Sequence, residues 1–145
     1  MAGKGTNKTI IDSITPSTVL DPGVAGGRVR CMLDDYTGTG AEVLTTLTVK
    51  MGGALPLNAR IVGVTIDCGA LGGGHTINVG DAESTGRYIS AAAASTCTYM
   101  NVNAGLNYKV DMTTAATPDN QILLTLSGTV ALAAKVYLAV FYTID

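Results

Sequence analysis

The chain is 145 residues long, 47% hydrophobic and only 14% charged, with a formal net charge of −2. A single domain of this size buries a sufficient core without needing a metal or a disulfide. The nine Lys and Arg are spread from Lys4 to Lys135, which excludes the clustered basic footprint of a nucleic-acid binder. No long apolar run and no basic–apolar–small leader is present, so neither a membrane span nor export is expected.

Residues 1–27 are broken by Pro16, Pro22 and repeated glycines, and their apolar content is confined to Ile10, Ile11, Ile14, Val19 and Leu20. This pattern predicts an extended N-terminal arm with at most a short strand near Thr9–Ile14. From Arg28 the period is two, and residues 28–145 read as one β domain. Val29, Cys31 and Leu33 alternate with Arg28, Arg30 and Met32, and Val43, Thr45, Leu47, Val49 and Met51 form one face of a second strand. In Arg60–Cys68, Val62, Val64, Ile66 and Cys68 alternate with Ile61, Gly63, Thr65 and Asp67.

Further strands are expected at Thr76–Val79, Arg87–Ser90, Thr96–Val102, Tyr108–Met112, Gln121–Ser127 and Lys135–Thr143. The last is apolar on both faces, which predicts a central or doubly covered strand. Residues 90–95, Ser-Ala-Ala-Ala-Ala-Ser, have room for one helical turn at most, but strands flank them and the stretch is short. The glycines of 69–74, Gly80-Asp81 and Pro118-Asp119-Asn120 supply turns. About eight short strands without βαβ alternation indicate an all-β fold, an antiparallel β-sandwich or jelly roll.

Chemistry has little purchase on this pattern. His75 is the single histidine, follows a glycine run, and has no local nucleophile and carboxylate to complete a catalytic set. Asp34-Asp35 and Asp81-x-Glu83 offer oxygens, but calcium wants about six to eight of them. The glycines at 72–74 lack the Gly-Lys-Ser/Thr end of a phosphate loop. The six tyrosines come without a tryptophan and are expected to cap a core rather than line a sugar groove. No enzyme activity, cofactor or metal is therefore expected. Cys31, Cys68 and Cys97 lie in apolar alternating segments and are expected to be reduced and buried.

One stretch carries a resemblance. Residues 59–89 join a basic–aliphatic strand, Gly69-Ala-Leu-Gly72, a strand ending Val79-Gly-Asp-Ala82, and Arg87-Tyr-Ile89. This resembles small virion proteins of tailed bacteriophages encoded beside the major capsid protein, and the ending Lys135–Asp145 is similar to how such chains close. The likeness covers roughly residues 42–145. It implies a jelly-roll cement (decoration) protein, made in the host cytoplasm and carried on the capsid exterior. It implies no catalytic residues to carry over.

The implied partners are the major capsid protein and further copies of the chain, a homo-dimer ahead of a trimer, with neither direct nucleic acid nor membrane. Low charge suits such a partner, because apolar surface left uncovered by charge must be hidden or else be diluted by Gly, Ala, Ser and Thr. The expected partner-binding residues are Ile10, Ile11, Ile14, Val19 and Leu20 of the arm, with Leu71 in the glycine loop. Rival readings are a head–tail connector or tail protein, and a carbohydrate or host-recognition module on the same fold.

Overall fold

The computed structural model describes residues 28–40, 47–69, 71, 76–93, 97–100, 108–112, 119–127 and 134–144, with backbone alone for 97–100. All regular structure there is β. The strands are β1 (Arg30–Thr37), β2 (Leu47–Met51), β3 (Ala59–Cys68), β4 (Thr76–Gly80), β5 (Ile89–Ala93), β6 (Cys97–Met100), β7 (Ile122–Leu126) and β8 (Lys135–Ile144). They form two four-stranded sheets, ordered β1-β8-β3-β6 and β2-β7-β4-β5. Every neighbouring pair is antiparallel. The predicted arm 1–27 and the predicted segment 41–46 lie outside the described residues.

The core sits between the sheets and is drawn from both. Ile61, Val64, Ile66, Val136, Leu138 and Val140 come from the first sheet, and Met51, Ile77, Val79, Ile122, Leu124 and Leu126 from the second. Each such aliphatic side chain stabilises the fold by roughly 1.5–3 kcal/mol through removal from water. The double apolar character of β8 has its expected cause, because the strand lies between β1 and β3. Only its inward residues are sealed, however; Tyr137 on the other face is 50% exposed.

Three local expectations change. In β3 the alternation does not run straight through: Ile61 and Val64 are both buried while Val62 points out. A break in register against β8 between Ile61 and Gly63 inserts one residue and switches the phase, as a β-bulge does. The strand expected at Arg87–Ser90 runs instead over Ile89–Ala93 as β5, where it pairs with β4. Lys109 makes only an isolated bridge to Arg60 in place of a strand over Tyr108–Met112.

Two glycines are demanded by contacts. Gly52, just past β2, has φ +62, and a Cβ there would collide with the Met32 side chain of β1. The Gly52 N–H also donates to Asp34 Oδ2 at 2.6 Å, so this turn joins one sheet to the other. Gly80 ends β4 where a Cβ would strike the Ser84 carbonyl oxygen and the Thr85 backbone.

Candidate interaction surface

The two sheets present different outer faces. Register across β1, β8 and β3 aligns Cys31 with Phe141 and Gly63, Leu33 with Ala139 and Thr65, and Asp35 with Tyr137 and Asp67. Facing inward from β1 instead are Met32, Asp34 and Tyr36, opposite Val140, Leu138 and Val136. The outer face therefore carries large apolar groups into solvent: Leu33 is 74% exposed and Val29 60%. Leu33, Asp35 and Tyr137 stand together on it, with Lys135 Nζ 5.9 Å from the Tyr137 ring centre. By contrast, the outer positions of β2 and β4 hold Thr48, Lys50, Thr76 and Asn78. Among the described residues Leu33 and Tyr137 are the large apolar groups most exposed on a sheet face, with Asp35 and Asp67 beside them, and exposed apolar surface rimmed by charge is the kind that a protein partner covers.

A polar network stiffens one end of the fold. Asp81, fully buried, accepts the N–H groups of Glu83 and Ser84 at 3.0 and 2.9 Å on Oδ1. Arg87 donates Nε to its Oδ2 and Nη2 to Oδ1, and Nη2 also reaches Glu83 Oε2 at 3.1 Å. The guanidinium lies 3.8 Å from the centre of the Tyr108 ring, whose hydroxyl donates to Asp119 Oδ2 at 2.8 Å. Asp119, itself 1% exposed, takes the N–H groups of Asp111 and Met112 at 3.0 Å each.

These contacts set the electrostatics. Burial would raise the Asp119 pKa, but the N–H groups of Asp111 and Met112 and the Tyr108 hydroxyl outweigh it and hold the carboxyl below its ordinary value. Burial, then the bond to Asp119, pushes the Tyr108 hydroxyl up. Burial, then the Asp81 charge, does the same to Tyr88. The carboxylates of Asp81 and Asp119, the Arg87 guanidinium and the Tyr108 hydroxyl all bond to other protein groups, as in a structural brace, whereas the buried Tyr88 hydroxyl has no partner among the described residues.

The sequence-predicted residues fall unevenly on this structure. Ile10, Ile11, Ile14, Val19 and Leu20 lie outside the described residues, as does His75. Leu71 is 2% exposed and belongs to the core cluster, so the fold does not present it to a partner. Asp81 and Glu83 pair with Arg87, and Asp34 accepts the N–H groups of Gly52 and Asp35.

The cysteine expectation also changes. Cys31 is free and exposed, because the register of β1 turns the odd positions outward, and Cys68 is disulfide-bonded. Leu33 and Tyr137 were not singled out from the sequence. The signal was a β1 face with apolar and basic residues interleaved, which does not reveal its own orientation. Among the described residues there is no group of three or more His, Cys, Asp or Glu able to hold a metal, and no helix long and apolar enough to cross a membrane.

No protein-family model and no curated protein matches the sequence. Solved structures do. The chain is similar to a chain of the Cyanophage Pam1 capsid asymmetric unit, with 25% identity, TM-score 0.67, and coverage of 90% of this chain and 100% of that one. It is also similar in fold to a chain of the capsid of Ralstonia phage GP4, at 18% identity and TM-score 0.60 over 82% of this chain and 86% of that one. Its structural neighbours are phage capsid components. The first likeness supports a virion structural role for this protein, and the second supports the fold.

Proposed function

We propose that the protein binds the outside of a bacteriophage capsid and cements neighbouring major capsid protein subunits. The observation that carries this reading is the likeness, along nearly the whole chain, to a component of a phage capsid asymmetric unit. The strand order adds to it. With β1-β8-β3-β6 against β2-β7-β4-β5, first and last strands are neighbours and each sheet draws strands from both halves of the chain, the winding of a jelly roll with two Greek keys. Such a scaffold is rigid, and its exposed apolar face supplies contact area.

In this reading residues 1–27 are an arm that contributes Ile10, Ile11, Ile14, Val19 and Leu20 to neighbouring subunits, and the protein acts as a homo-dimer, the simplest self-complementary arrangement. Each contact can be weak, since many copies act on one particle. The test is electron microscopy of phage heads assembled without the protein, then mixed with it. Density across seams between capsid subunits is expected. Density confined to the head–tail vertex or the tail, or no binding at all, would overturn the proposal. Deleting residues 1–27 should leave the β domain folded and lower the number of copies retained.

A further inference from the structure

We propose that Cys68 and Cys97 form an oxidative staple that fastens edge strand β6 to the sheet and locks both ends of the β4–β5 unit. Three cysteines are present. Cys31 is free and Cys68 is disulfide-bonded, so elimination leaves Cys97. The backbone register agrees: Cys68, the last residue of β3, is paired directly with Cys97, the first residue of β6. Directly opposed residues of antiparallel strands have Cβ atoms about 4.5–5.5 Å apart, within reach of the spacing that a disulfide closes.

The position gives the bond its consequence. Among the described residues β6 has four residues and one paired neighbour, at the edge of its sheet. Between Cys68 and Cys97 the chain leaves that sheet, forms β4 and β5 of the other, and returns. One covalent link therefore closes a loop that contains half of the second sheet. It holds the two ends of that loop together, so the β4–β5 segment returns to the same point of the first sheet even when the β3–β6 ladder opens.

The lock is conditional on its surroundings. In a reducing compartment both side chains are thiols and no covalent link joins β6 to β3 beyond their ladder. Cys68 is half-buried, so a small disulfide such as oxidised glutathione can reach it. A Cys68 thiolate attacks that disulfide and expels one glutathione thiolate. The Cys97 thiolate then attacks the mixed disulfide and expels the second. Two protons leave the protein, two cysteines are oxidised, and one glutathione disulfide is reduced to two thiols. On the virion reading this would tighten the protein after release from the host cytoplasm. The staple itself does not rest on that reading.

The test uses the purified full chain, treated with oxidised glutathione and then alkylated under denaturing conditions. One alkyl group, on Cys31, is expected before reduction and three after it, with a linked peptide pair containing Cys68 and Cys97. Reductant should lower the Tm by about 10 °C. C68S, C97S and the double variant should all melt at the same lowered temperature, with no further response to reductant, and C31S should melt like the parent. Three alkyl groups before reduction, a linked peptide containing Cys31, or a double variant clearly less stable than either single one would overturn the staple. None of these outcomes depends on whether the protein binds phage heads.

Discussion

Gly80 shows how one position decides local structure. It is the last residue of β4, and the chain turns back so tightly that a methyl group would overlap the Ser84 carbonyl. Gly80→Ala must displace backbone, because backbone and not a pliable side chain stands in the way. The expected cost is about 2–3 kcal/mol, read from the urea midpoint. Leu33 is the opposite case, a large apolar side chain already 74% exposed. Leu33→Asp should leave the urea midpoint within about 0.5 kcal/mol of the parent. On the proposed cementing role it should nevertheless strip copies from heads, since a charge would enter the packed contact. Retention equal to the parent would show that this face is not the contact.

At the scale of elements, the Asp119–Tyr108–Arg87–Asp81 network ties the turn after β4 to the segments at 108–112 and 119. Its titration has a definite sign at each end. Asp119 is held below the unfolded carboxyl value of about 3.9, so its stabilisation is complete above that pH and lost as pH falls through the folded value. The Tyr108 hydroxyl is raised above its ordinary value of about 10, so the folded state keeps a proton that the unfolded chain releases. That contribution is complete below about pH 10 and declines above it. The expected pH profile of the urea midpoint is a plateau from about pH 5 to 9 with losses on both sides. Asp119→Asn should lower the plateau by about 1–3 kcal/mol through a lost acceptor and shrink the acid loss. Tyr108→Phe should shrink the alkaline loss. Unchanged limbs in both variants would show that other groups govern the profile.

For the whole molecule, few charges mean few ion pairs at any contact. Exposed pairs contribute only about 0–1 kcal/mol each, and at about 1 M salt the Debye length falls to about 3 Å. A protein attached by the apolar face of its first sheet should stay on heads through such a wash. Counting copies retained across a salt series checks this. Loss at moderate salt would shift the attachment to the basic residues Lys4, Lys8, Arg28 and Arg30.

The all-β class was legible along the chain because period-two alternation and glycine-rich turns are local consequences of backbone geometry, which no distant contact needs to complete. The central place of β8 was legible too, from its two apolar faces. What only the tertiary structure decided was which side of each strand is covered. Alternation defines two faces without saying which one meets the core. For β1 the answer came from register against Val136, Leu138 and Val140, which turned Cys31 and Leu33 outward. For β3 it came from a bulge that no spacing announces. Asp81 and Asp119 looked like ordinary turn carboxylates, since the partners that make a brace of them are brought close only by folding. Cys68 and Cys97 stand far apart in sequence. Only the pairing of β3 with β6 places them opposite each other.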